Sequence, residues 1–155
     1  MTTTGRWTAW AAASWTLLYV ASKIHFALTD RLGVTGGPHV APESYLKYGP
    51  GEVARAQWAN AASALFVAAL VLASLAPIRR PFLRRAMAAL LWLCTAMAAA
   101  GGIGMTGGTL LTDRGGALFG GYCAVWAVLL CLATRSFHRR RPVPRATAIM
   151  EQISR

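Results

Sequence analysis

The stretch YVASKIHFALTDRLGVTGGP, residues 19–38, contains the point at which an apolar helix would leave lipid and enter water. Its first half is mainly apolar, and its second half ends in a glycine-rich loop. Around the junction of the two halves, within about three helical turns, the chain places four ionisable residues: Lys23, His25, Asp30 and Arg31. We therefore interpret the remaining sequence outward from this boundary.

The composition predicts that lipid is the solvent of most of the chain. Of its 155 residues, 55% are hydrophobic and only 14% are charged, whereas soluble domains have roughly 25% charged residues. Fourteen of the sixteen basic residues are arginine, and Ala and Gly are abundant, which indicates a high-GC bacterial genome.

Four apolar segments are long enough to cross a hydrocarbon core of about 30 Å, which takes roughly 20 helical residues. They are residues 7–28, 56–76, 87–110 and 117–134. The sequence therefore predicts an all-α integral membrane four-helix bundle, with residues 1–155 forming a single membrane domain and residues 135–155 a basic tail.

The arginines predict the orientation. Eleven basic residues, including Arg6, those of PIRRPFLRR (residues 77–85) and those of the tail, fall on one side of the predicted spans. The other side has five basic residues and four of the five acids. The positive-inside rule then places both termini in the cytoplasm of a bacterial inner membrane. Membrane lipids are predicted partners of the basic side. No nucleic-acid partner is expected, because base reading or stacking would need suitable side chains and the tail has only Phe137 and His138 among its arginines.

Polar residues cluster at the outer end of the predicted bundle. Lys23 and Asp30 share a face of the first helix, and Asp113 ends the third. An ionisable side chain in lipid usually faces the bundle interior, pairs, or marks a ligand path. The candidate ligand-binding residues are Lys23, His25, Glu52, Arg55, Gln57 and Asn60. Two plainer interpretations stay open: interfacial anchors and interhelical hydrogen bonds.

The long outer loop has two interpretations. PESYLKYG, residues 42–49, predicts a short helix with Pro42 in its first turn. The loop is either a surface cap at the headgroup level or a lid over an outward-facing pocket. We adopt the cap as the working interpretation.

A short internal similarity suggests a duplication. LTDRLGVTGG (residues 28–37) resembles LLTDRGGALFGG (residues 110–121), with Leu-Thr-Asp-Arg identical. A true repeat would give two parallel two-helix units with Asp30 and Asp113 equivalent. A chance similarity in a biased composition remains the alternative.

Glycines in the second half of the chain predict close helix packing. Gly104 with Gly108, and Gly116 with Gly120, have the small-xxx-small spacing. This spacing serves either packing within the bundle or a homo-oligomer.

No metal or cofactor is expected. The three histidines are scattered, HExxH is missing, and Cys94, Cys123 and Cys131 form no CxxC pair or zinc-ligand spacing.

The layout resembles small four-span membrane proteins of unassigned function in high-GC bacteria. The resemblance lies in SKIHFAL ending the first span, the glycine-rich outer loop, RRPFLRR and the basic tail. It implies a four-helix fold and transfers no activity. The chain departs from small multidrug exporters, because Ser14, Trp15 and Thr16 stand where their mid-membrane glutamate would be. It also lacks the CxxC of quinone-linked thiol oxidoreductases.

Three functions follow as hypotheses, and the sequence leaves open whether the protein is an enzyme. The first is a small membrane module that binds a lipid, an amphipathic small molecule or a membrane partner at the outer-leaflet polar cluster. The second is an enzyme acting on a lipid or isoprenoid-like substrate, with Asp30 and Asp113 as acid and base and Arg55 or Lys23 as an anion clamp. The third is a transporter or channel subunit.

Overall fold

The computed structural model describes residues 3–111 and 116–139 of the chain. The described residues form four long α-helices and no strand. These are α1 (Thr3–Leu28), α2 (Glu52–Ala73), α3 (Pro81–Leu111) and α4 (Ala117–Arg139). The residues predicted to form a short helix adopt a 3-10 helix, Pro42–Lys47, between α1 and α2.

The helices extend beyond most of the predicted spans. α2 begins at Glu52, directly after Gly51, whose φ of 71° suits a glycine and separates the helix from the preceding turn. α3 begins at Pro81, a residue that fits the first helical turn. The predicted spans were shorter because only the apolar part of each helix was counted, whereas a helix can continue through polar residues at a membrane surface.

The four helices form two antiparallel hairpins. α1 packs along α2, and α3 packs along α4, while α1 also contacts α4. α2 and α3 are consecutive in sequence, yet they touch only sparsely. The spatial order is therefore α2, α1, α4, α3, with α1 and α4 joining the hairpins.

Small residues fill the interior between the hairpins. Ala9, Ala12 and Ala13 of α1 are almost fully buried against larger side chains such as Leu91 and Leu130. Alanine lets helix backbones approach closely, as is common between membrane helices. A second, smaller core cluster contains Val20, Ala61 and Ala64, between α1 and α2.

Among the described residues, α2, α3 and α4 are long and apolar enough to cross a membrane. The first predicted span, residues 7–28, lies within α1, which has 26 residues and a length of about 39 Å. α1 is less apolar because it includes polar residues such as Thr16, Ser22 and Lys23. The exterior also exposes many large apolar side chains, among them Phe66 and Ile103. These features are consistent with a multi-pass membrane protein.

The two ends of the bundle differ in charge. We call one end the loop end: it contains the 29–51 connection, the end of α3 and the start of α4. The other is the arginine end, formed by the start of α1, the 74–80 connection and the end of α4. In the described part of the chain, the carboxylates Asp30, Glu43 and Glu52 all lie at the loop end, whereas seven arginines lie at the opposite end.

The predicted packing glycines fall into two groups. A Cβ added at Gly120 would lie 2.6 Å from Thr106 Oγ1, and one at Gly116 would lie 3.1 Å from Pro38 Cδ. These two glycines therefore allow close contacts within the chain. A Cβ added at Gly104 or Gly108 would meet no atom within 4 Å among the described residues. Residues 112–115, which include Asp113, Arg114 and part of the second Leu-Thr-Asp-Arg copy, lie outside the described residues.

Candidate functional site

The backbone carbonyl of Gly33 is the centre of the loop-end polar cluster, which we define as Lys23, Asp30, Gly33, Glu52, Arg55 and Gln57. Lys23 Nζ donates a hydrogen bond to Gly33 O over 2.8 Å. Gln57 Nε2 donates to the same oxygen over 3.2 Å and to Arg31 O over 2.8 Å. One loop carbonyl thus brings together a side chain of α1 and a side chain of α2, two residues predicted as ligand-binding.

Lys23 is buried, with 8% of its surface exposed. Its Nζ lies 5.4 Å from the centroid of the Tyr19 ring, a distance suited to a cation–π interaction. The ammonium has three N–H donors, and Gly33 O accepts one of them. No carboxylate of the described residues forms an ion pair with it; the ion pair found among these residues joins Glu52 and Arg55.

Gln57 is more deeply buried, with 2% of its surface exposed. Its amide nitrogen has two acceptors, but the amide oxygen Oε1 is buried and has no hydrogen-bond partner among the described residues. An acceptor buried without a partner costs roughly 1 to 3 kcal/mol. The cluster therefore has an unused acceptor at Gln57 in addition to the positive charge of Lys23.

Asp30 stabilises the start of α2. Its Oδ1 accepts a hydrogen bond from the backbone N–H of Ala54 over 2.9 Å. The N-cap position of α2 is Gly51, which has no side chain and so cannot supply a capping oxygen. Asp30 supplies that oxygen from the end of α1. The arrangement gives this proposed catalytic acid or base a capping contact, and Asp113 lies outside the described residues.

Glu52 and Arg55 pair with each other at the surface. Arg55 Nη2 lies 2.9 Å from Glu52 Oε1, and the two side chains are 75% and 45% exposed, respectively. Glu52 Oε2 also accepts a hydrogen bond from the N–H of Gly49. Exposed pairs of this kind contribute little to stability. Arg55 was predicted as an anion clamp, but its guanidinium already has the carboxylate of Glu52 beside it.

His25 and Asn60 are exposed on the helices that flank the cluster. The imidazole of His25 lies edge-on to the ring of Phe26, with the ring centroids 5.8 Å apart. Neither residue forms one of the hydrogen bonds to Gly33 O. The structure thus separates the six predicted ligand residues into a buried pair, Lys23 and Gln57, and four surface residues.

The 29–51 connection is bound to three helices. The N–H of Thr35 donates to Ser22 Oγ on α1, and the two hydroxyl oxygens are also 2.9 Å apart. Gln57 attaches the loop to α2. On the far side, the N–H of Phe119 at the start of α4 donates to Gly36 O over 3.0 Å. We call residues 31–37 the strap, because they cross the loop end from α2 to α4.

An aromatic seam joins α1 to α4 beneath the strap. Trp15 stacks on Tyr122, and Tyr19 stacks on both Phe119 and Trp126. Trp15 Nε1 donates to Tyr122 O over 3.2 Å, while the Tyr122 hydroxyl donates to Trp15 O. Because Tyr19 also faces the ammonium of Lys23, the seam is continuous with the polar cluster.

No protein-family model, curated protein or solved structure matches this chain. The residues themselves must therefore indicate the function. Among the described residues, no group of three His, Cys, Asp or Glu side chains could hold a metal ion. The chemistry that the cluster does offer is recognition: a buried cation and an unused acceptor next to one carbonyl.

Sequence reasoning missed the aromatic seam, although a signal for it was present. Trp15 and Tyr19 are four residues apart on α1, and Tyr122 and Trp126 are four apart on α4, so each pair shares a helix face. Two aromatic faces of equal length predict a contact between their helices.

Proposed function

We propose that this protein is a four-span membrane protein that binds an amphipathic ligand at the loop-end polar cluster. The ligand would be a lipid or a small molecule with an anionic oxygen close to an N–H or O–H donor. The anionic oxygen would pair with Lys23, and the donor would reach Gln57 Oε1. The observation that carries this proposal is that both groups are buried beside Gly33 O while each retains unused hydrogen-bonding capacity.

The four-span topology is supported by the position of α1. This helix is the least apolar of the four, but it lies between α2 and α4 and turns Thr16 and Lys23 into the protein. A helix whose polar side chains are buried by its neighbours can cross lipid at a higher polar content. The seven arginines of the opposite end favour a cytoplasmic location for that end in a bacterial inner membrane.

Access to the cluster would require the strap to move. Lys23 and Gln57 both donate to strap carbonyls, so a bound anionic oxygen would replace Gly33 O at the ammonium. In this mechanism the strap is the lid of the sequence-based hypothesis, and the side chains that hold it closed are those that bind the ligand.

Native mass spectrometry of the protein released gently from membranes tests this proposal. We expect a co-purifying mass in the wild type that is lost in Lys23→Met and in Gln57→Leu. As controls, Lys47→Met removes an exposed charge from the 29–51 connection, and Asn60→Leu removes an exposed amide from α2. Both variants should retain the co-purifying mass. A wild-type protein without bound mass, or a mass that persists in both cluster variants, would contradict the proposal.

A second copy of the chain is the other proposed partner, and fewer of the four packing glycines are now candidates for that contact. Gly116 and Gly120 already make close contacts within the chain. A Cβ added at Gly104 would meet no atom within 4 Å among the described residues, which leaves room there for another helix. If α3 pairs with a second copy through this face, Gly104→Leu should lower the dimer fraction in cross-linking experiments, because a large side chain separates the backbones.

A further inference from the structure

The arginine end contains more positive charge than its own residues neutralise. Seven arginines lie there among the described residues, and none of the three described carboxylates is at that end. The arginines are Arg6, Arg79, Arg80, Arg84, Arg85, Arg135 and Arg139. Like charges brought together by folding repel each other, so an anionic partner would stabilise this arrangement.

The end of α4 is fixed against the start of α3 at this place. Arg84 donates to the backbone carbonyl of His138 over 3.2 Å, and its guanidinium lies 5.9 Å from the centroid of the Phe137 ring. Trp92 Nε1 donates to His138 Nε2 over 3.1 Å. These contacts hold His138 between the two helices.

Two open clefts at this end both have His138 in their lining. One has a volume of about 460 Å³ and is lined by Trp92, Arg135, His138 and Arg139. The other has a volume of about 290 Å³. Its lining includes Arg79, Arg84 and Arg85 together with apolar Ile78, Ala88 and Phe137, and His138 is again part of the wall. The clefts are therefore neighbours that share one residue.

The lining of both clefts suits the phosphate of a membrane lipid. Guanidinium groups donate two parallel hydrogen bonds to a phosphate, which an ammonium cannot do. The apolar residues and the indole of Trp92 offer a surface for glycerol and the first acyl carbons, and indole favours the membrane interface. A soluble anion would need only the arginines, so the apolar lining favours a lipid.

We infer that the arginine end binds an anionic phospholipid with two phosphate groups, one in each of the two clefts that share His138. The first phosphate is held by Arg135 and Arg139, and the second by Arg79 and Arg85. Arg84 holds the carbonyl of His138 and so positions this shared residue. This site is at the opposite end from the proposed ligand site and does not depend on it.

Lipid titration followed by native mass spectrometry of the full-length protein tests the inference. Diphosphatidylglycerol is the probe with two phosphodiesters, and phosphatidylglycerol is the comparison with one. We expect the wild type to retain diphosphatidylglycerol about tenfold more strongly than phosphatidylglycerol supplied at twice the concentration, which equalises total charge. Equal retention of the two lipids would overturn the two-phosphate assignment.

Paired variants separate a built site from general attraction of charge. Arg135→Gln with Arg139→Gln removes two guanidinium groups from the lining of one cleft, and Arg79→Gln with Arg85→Gln removes two from the other. Arg6→Gln with Arg80→Gln removes the same charge from the same end, outside both cleft linings. We expect each cleft pair to weaken diphosphatidylglycerol binding by about tenfold more than the control pair does. Equal losses in all three pairs would overturn the site.

Two further experiments test whether the loss of binding reflects the fold and whether the ligand is a lipid or a free phosphate. Arg135→Lys with Arg139→Lys preserves the charge and the fold. We expect this variant still to bind diphosphatidylglycerol weakly, because an ammonium lacks the guanidinium fork. Full rescue by lysine would overturn recognition by this geometry. Inorganic phosphate and pyrophosphate at millimolar concentration should leave the bound lipid in place, whereas displacement by either ion would show that a free phosphate is the ligand.

Discussion

At the residue scale, Asp30 combines an uncommon backbone conformation with a specific contact. Its φ is 48°, in the left-handed region that few residues other than glycine adopt readily, and Asp and Asn are among those few. The turn that this conformation produces directs the carboxylate to the N–H of Ala54. The sequence showed an acid near a membrane surface, but a cap formed across 24 residues leaves no pattern in the spacing.

If Asp30 acts as a helix cap for α2, its replacement by Asn and by Ala should affect stability differently. Asp30→Asn preserves both the left-handed tolerance and the accepting oxygen, so its stability should change by less than about 0.5 kcal/mol. Asp30→Ala loses both and should destabilise the fold by about 1 to 2 kcal/mol. Thermal unfolding in detergent measures the difference, with Glu43→Ala in the exposed 3-10 helix as the control. Equal destabilisation by Asn and Ala would mean that the carboxylate charge, rather than the cap, is what the fold requires.

Lys23 and Gln57 illustrate what sequence reasoning can find at this scale. Both were predicted as ligand residues because an ionisable or amide side chain inside a span needs a partner. Their shared partner, the carbonyl of Gly33, could not be predicted, because it depends on the path of a loop with three glycines. Residue type therefore predicted burial, while only the fold revealed the contact.

At the element scale, the strap is the part of the protein whose role the structure describes best. The sequence left a cap and a lid as alternatives. The observed hydrogen bonds to α1, α2 and α4 fit a closed position that both alternatives share. A cap would stay closed during function, whereas a lid would open.

A disulfide across the strap distinguishes the two. Ser22 and Thr35 have hydroxyl oxygens 2.9 Å apart, so Ser22→Cys with Thr35→Cys should cross-link on oxidation. The closed loop should raise the free energy of unfolding by about 2 to 3 kcal/mol. If the strap is a lid, the oxidised protein should fail to take up the ligand detected by mass spectrometry, and reduction should restore uptake. Unchanged uptake after complete oxidation would support a permanent cap.

The helices were the most predictable elements. Apolar runs indicated all four, because a membrane span needs a length of apolar sequence and little else. The order α2, α1, α4, α3 was not predictable from those runs. It depends on which helix faces match, and the aromatic faces of α1 and α4 provide the match. The proposed two-helix repeat is compatible with two hairpins, but the second Leu-Thr-Asp-Arg copy lies largely outside the described residues.

At the scale of the whole molecule, the separation of charge between the ends predicts orientation. Single cysteines at Lys47→Cys and Arg80→Cys place a reactive thiol at the loop end and the arginine end, respectively. In intact cells, a membrane-impermeant maleimide should label the first and leave the second unlabelled until the membrane is permeabilised. The wild type is the control, since its cysteines lie within the helices. Labelling of Arg80→Cys in intact cells would show that the arginine end faces outward and would contradict the predicted orientation.

The two-hairpin arrangement also bears on how the chain enters a membrane that has an electrical potential across it. Moving one elementary charge through 100 mV involves about 2.3 kcal/mol of work. The 29–51 connection contains two acids, Asp30 and Glu43, and two basic residues, Arg31 and Lys47, so its formal charge is zero. Residues 112–116, which connect α3 to α4 in the sequence, include Asp113 and Arg114, so their formal charge is also zero. In the proposed orientation, each hairpin would therefore carry its connecting segment across the bilayer with almost no electrical work, while the arginines would stay in the cytoplasm.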